Sequence, residues 1–178
     1  HAASTKANAM GPSTIDPRSG EILEADIIWW HNVQSLLKEW VVVQTAAVNP
    51  AARTYHLPDS LMGDAARFVA CHEVGHSLGL RHNMRASAAY SVDSLRSASF
   101  TSRIGGTSSS IMDYARFNYI AQPEDNVSVL SPHIGPYDIM AIEWGYRWYP
   151  TEDIAKAELD KFLKEHNQPL YRYSETQS

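Results

Sequence analysis

The apolar positions of the chain fall into stretches of different period. "EILEADIIWW" is rich in β-formers and predicts a strand near 21–29. Before it, "DPRSG" sets Pro and Gly in turn positions between two apolar stretches, which is a hairpin signal. Val33, Leu36, Leu37, Trp40 and Val41 then recur every three to four residues, predicting a helix over about 32–47. "NPAARTYHLPDS" breaks the pattern as a loop. A second helix is predicted from near Leu61, capped by Asp59 or Ser60 and ended by Gly79. Residues 84–110 are Ser-rich and show no clear period, apart from a short helix expected around 90–97. So long a loop inside a compact domain is usually functional or mobile. "GPYDIMAIEWGY" predicts a short helix with Pro136 at its start and Gly145 at its end. "TEDIAKAELDKFLKEHN" predicts an amphipathic one, with acids in the first turn and Lys toward the end. Residues 1–13 are small and polar, and pattern does not decide their structure.

These elements describe one α+β domain in four segments: a hairpin, strand and helix (1–60), a histidine-bearing helix and turn (61–82), a long loop with a closing helix (83–149), and a C-terminal helix and tail (150–178). At 178 residues the chain can bury one real core. The net charge of −5, with no basic run, argues against a nucleic-acid or anionic-membrane partner. A single cysteine, Cys71, excludes an intramolecular disulfide. No apolar run reaches the roughly 18–20 residues needed to span a bilayer. The chain opens at His1 and shows no signal peptide, so the expectation is a domain cut from a longer protein, with flanking domains in the parent.

The chemistry concentrates in "CHEVGHSLGLRHN", residues 71–83, which hold three of the eight histidines. At about 100° per residue, His72, Glu73 and His76 fit on one helical arc of about 100°. Two imidazoles one turn apart can reach a single zinc ion. A third ligand requires the chain to leave the helix and turn back, and Gly79 is the residue type that permits such an exit. His82 then completes a set of three neutral ligands, leaving a fourth position open to water as in catalytic zinc sites. Glu73 is not needed as a ligand and stands where a general base for that water is required. The five-residue H-E-x-x-H pattern alone is weak, and its bland reading is a helix with two solvent-facing histidines. Gly79 and His82 at fixed offsets make the long form far more specific.

H-E-V-G-H-S-L-G-L-R-H resembles the H-E-x-x-H-x-x-G-x-x-H signature of the metzincin metallopeptidases. Two further segments carry the resemblance in order. "SSSIMDY" places Met112 where that clan has its methionine turn, and "DIMAIEWGY" looks like its closing helix. The chain also resembles bacterial zinc-dependent metalloproteases of metzincin type, in which such a domain sits inside a larger exported protein. The resemblance implies a zincin-like fold and one catalytic Zn2+ on His72, His76 and His82. It also implies Glu73 as general base and Met112 as an apolar base beneath the imidazoles. Tyr114, two residues after Met112, matches a tyrosine that in astacins and serralysins can approach the metal, although Asp113 stands where those families usually carry His.

The implied activity is endopeptidase cleavage of a peptide or protein substrate, outside the cytoplasm of a bacterium. The alternatives are a zinc amidase or hydrolase acting on a non-protein or cell-wall substrate, and a zinc-containing module without turnover. The clan usually has several strands before its active-site helix, so some are expected to be missing, shorter or supplied from elsewhere. The strand near 21–29 is expected to be the edge that pairs with an extended substrate.

Other residues are read as structural. Cys71 is expected to be a small buried hydrophobe, and His56 and His133 to be surface or rim residues. Asp113 is read as a turn cap or an orienting carboxylate, and Asp138 as a cap on the closing helix or a tie to the site. Gly75, costly inside a helix, is expected to allow close packing near the metal. The five tryptophans are assigned to core or interdomain surface.

Overall fold

The computed structural model describes residues 6–176; residues 1–5 of the undecided N-terminal stretch lie outside them. The chain begins with a two-stranded antiparallel ribbon broken in the middle. Strand β1 (Ala9–Met10) pairs with β4 (Ile28–Trp29), and β2 (Ser13–Ile15) pairs with β3 (Ile22–Ala25). The expected strand over 21–29 is therefore two strands, parted at Asp26 and Ile27. Pro12 faces the break: it has no N–H to give a ladder, and its carbonyl accepts from Asp26 N–H at 3.0 Å. The "DPRSG" turn forms as expected, closed by Asp16 and Glu21 at 2.9 Å, with Gly20 at a φ of 77°.

Helix α1 (Val33–Thr45) lays Val33, Leu37 and Val41 against α2 (Asp59–Ser77), which contributes Ala65, Phe68 and Val69. These residues, Met112, Phe117 and Ala9 of the ribbon form the main core. Burying each such side chain contributes on the order of 1.5–3 kcal/mol, so the seam between α1 and α2 holds the histidine-bearing helix rigidly. Helix α2 starts two residues earlier than expected, after Pro58, which offers no side-chain cap. Asp59 lies in its first turn instead, where a negative charge suits the positive end of the helix.

The Ser-rich stretch is more ordered than its composition suggests. It holds α3 (Val92–Leu95) and α4 (Ala98–Ile104) in place of a single helix over 90–97. Ser91 and Ser97 accept from Ser94 and Phe100 N–H as N-caps, so the serines that hid the pattern start the helices. Residues 107–113 are buried without regular structure. Helix α5 (Pro136–Tyr146) starts at Pro136 and has Gly145 in its last turn, as expected. Helix α6 (Glu152–Glu165), capped by Thr151, buries only Phe162. The architecture is α+β, and no helix among the described residues is long and apolar enough to cross a membrane.

Candidate metal centre

Helix α2 carries His72 and Glu73, both buried, and half-buried His76. At its end the chain turns in a Schellman motif: Gly79 N–H donates to His76 C=O at 2.9 Å and Leu80 N–H to Gly75 C=O at 3.0 Å. The turn needs a φ of 88° at Gly79, which an L side chain would strain. It carries the chain back so that His82 meets the helix histidines. The Nε2 atoms of His76 and His82 lie 3.1 Å apart. One ligand nitrogen from each of the three histidines falls within 4.8 Å of the other two, the one such cluster of metal-ligand type among the described residues.

The donor set fits a metal ion. The Nδ1 of His72 is 2.8 Å from Ile111 C=O, and that of His76 is 2.9 Å from Leu80 C=O. A carbonyl only accepts, so each Nδ1 carries the proton and each Nε2 presents a lone pair to the centre. Two nitrogens held about 2.0–2.1 Å from one tetrahedral ion sit roughly 3.3 Å apart, close to the spacing of His76 and His82. Burial, reinforced by the other two histidines, pushes the His72 pKa down to about 4, so its imidazole is neutral as a ligand must be. Burial also lowers His82.

Three supports hold this arrangement. Buried Asp138, at the start of α5, accepts from Ser110 Oγ at 2.5 Å, Ile111 N–H at 2.7 Å and Gly135 N–H at 2.8 Å. It fixes the Ile111 peptide whose carbonyl orients His72, so it ties α5 to the site as well as capping it. Met112 is fully buried, and its Sδ occupies the space a Cβ on Gly75 would need, which explains a glycine in mid-helix. The third support is absent from any motif. Asn83, next to His82, is fully buried. Its N–H donates to Met112 C=O at 3.1 Å, and its side chain pairs with Arg172 C=O and Ser174 N–H. Arg81 and Glu175 form an ion pair at 2.6 Å. The polar C-terminal segment thus fastens the third-histidine turn, and the sequence carries no signal of it, because the burial of Asn83 shows only in the fold.

Around the centre, the Tyr114 hydroxyl lies 2.9 Å from His82 Nε2, and its ring stacks against His72 with centroids 5.7 Å apart. Burial, then the neighbouring Glu73, raises the Tyr114 pKa and keeps the phenol protonated. Burial likewise raises Glu73. Glu73 packs under the ribbon at Gly11, where any Cβ would meet the Glu73 carbonyl and the His76 side chain. A cavity of about 290 Å³ opens from His72, Glu73 and Tyr114 toward α1.

The remaining residues lie elsewhere. Asp113 accepts from Ser87 N–H and from its own turn, and contacts no histidine of the cluster. His133 Nε2 is 3.6 Å from Asp64, and His56 packs on Tyr55. Cys71 is half-buried against the core. Trp29 and Trp40 pack on the core, while Trp144 and Trp148 are exposed.

A helix bearing H-E-x-x-H, a glycine turn that returns a third histidine, and a buried methionine behind the helix define the zincin class of metal site. Residues 54–178 match the family model DUF4953, described as Met-zincin, and the chain belongs to that family. Neither the curated proteins nor the solved structures hold a significant match to it.

Proposed function

We propose that the protein is a zinc-dependent endopeptidase working on peptide or protein substrates, outside the cytoplasm of its cell. The observation that carries this reading is the pairing of three convergent imidazoles with a buried carboxylate, Glu73, that neighbours them and is not one of them. His72, His76 and His82 would hold a single Zn2+. Bound there, the ion would polarise a substrate carbonyl and acidify a water molecule.

Glu73 takes the proton from that water and returns it to the departing amine. In the metal-free chain burial raises the Glu73 pKa, the direction that makes a carboxylate a better proton acceptor. Tyr114, whose hydroxyl lies beside His82, would donate a hydrogen bond to the carbonyl oxygen as negative charge develops on it. The ribbon offers unpaired main-chain groups on strands that each have one partner, and an extended peptide would pair there.

The test is cleavage of unfolded casein by the zinc-loaded chain beside Glu73→Ala at the same metal stoichiometry. The expected outcome is cutting by the parent and a loss of about 10²–10⁴-fold in the variant, the usual contribution of a positioned acid–base group. Equal cutting by both would remove Glu73 from the chemistry. No cutting by either, with one zinc bound to each, would leave the metal site without proteolysis and favour a non-protein substrate.

A further inference from the structure

Arg116 holds a costly position next to the candidate centre. Its φ is 56°, one of two non-glycine residues among those described with a positive value. The strained backbone is clamped on both sides. Thr107 Oγ1 donates to Arg116 C=O at 3.0 Å, and the next residue, buried Phe117, donates its N–H to Gln44 Oε1 at 3.1 Å. The result is a guanidinium laid on the Trp40 indole, 4.1 Å from the ring centroid. No carboxylate among the described residues forms an ion pair with it.

This cation stands on the wall of the cavity that also holds Glu73 and Tyr114. Asn8 and His72 also line it, and the rest of the wall is apolar, with Val33, Leu36, Phe68 and Val69. At about 290 Å³ it suits one large side chain better than a whole small-molecule ligand. A flat, half-buried guanidinium with unused donors at such a mouth recognises a carboxylate, and the indole beneath it fixes its plane. Sequence pattern had no means of finding this, because Arg116 and Trp40 are far apart in the chain and neither belongs to a motif.

We propose that Arg116 is a specificity-determining residue, selecting peptides that bring a bulky apolar side chain into the cavity and an acidic side chain beside it. The inference rests on the endopeptidase reading and adds the substrate class to it. The experiment uses the zinc-loaded chain with internally quenched peptides. Each carries Phe or Leu with Glu, Gln or Lys placed within two positions of it, and a control set replaces Phe or Leu by Gly. The expected result is a kcat/KM at least tenfold higher for Glu than for Lys peptides, and loss of cleavage in the Gly set. Arg116→Glu should invert the Glu-to-Lys ratio and Arg116→Gln should bring it near one, both variants keeping the parent's circular dichroism and metal content.

A parent that cuts Glu and Lys peptides equally, or an unchanged ratio in both variants, overturns the proposal while proteolysis stands. If no peptide is cut, the same peptides are titrated onto zinc-loaded Glu73→Gln and followed by calorimetry. Tighter binding of Glu peptides, lost with Arg116→Glu, supports the selectivity although turnover fails; equal binding overturns it.

Discussion

At the scale of the residue, the histidine triad was legible because ligand geometry leaves a direct trace in spacing. A spacing of four is close to one helical turn of 3.6 residues, and a glycine favours the turn that returns a ligand from beyond the helix end. What orients those histidines leaves no such trace. His72 is held by a main-chain carbonyl at Ile111 and His76 by one at Leu80, and a carbonyl belongs to every residue type. Tyr114 shows the difference sharply. Resemblance alone suggested a role at the metal, and the fold sets its hydroxyl 2.9 Å from His82 Nε2. Tyr114→Phe removes that donor and little volume. The expected outcome is a fall in kcat of roughly 10²-fold, the cost of losing one donor to a developing oxyanion, with zinc content unchanged. An unchanged kcat would make Tyr114 a rim aromatic.

At the scale of the element, periodicity recovered α1, α2, α5 and α6 because each lays one apolar face on a neighbour or carries clear end signals. It failed over 84–110, where short helices are set by serine caps and buried polar segments rather than by an apolar stripe. It also joined β3 to β4, because the interruption comes from Pro12 on the opposite strand. The contact of α2 with the Met112 turn gives a test of packing against propensity. In a helix, Gly75→Ala would gain about 1 kcal/mol by propensity. Here the new methyl would collide with Met112 Sδ. Overpacking costs typically 1–3 kcal/mol, so the net expected change is destabilising, read as a lower denaturant midpoint. A raised midpoint would show that Met112 moves aside freely and does not brace the helix.

At the scale of the whole molecule, the site burdens the fold that builds it. His72 is buried at the junction of α2, the Met112 turn and α5, and its pKa of about 4 stands below the ordinary 6.5. Between those values the unfolded chain binds a proton on this histidine that the native chain does not. Stability of the metal-free protein therefore rises with pH across that interval and is lost as pH falls from about 6.5 toward 4. The loss attributable to His72 is on the order of 2–3 kcal/mol. A metal ion held by the neutral imidazoles of the native chain would add to its stability above this interval. Urea unfolding of the chelator-treated chain at pH 4.5 and 7 measures the first effect, and His72→Phe, which cannot protonate, should lessen the slope. If the parent's midpoint were flat over that range, or fell equally steeply in His72→Phe, the buried neutral histidine would not be what couples this fold to pH.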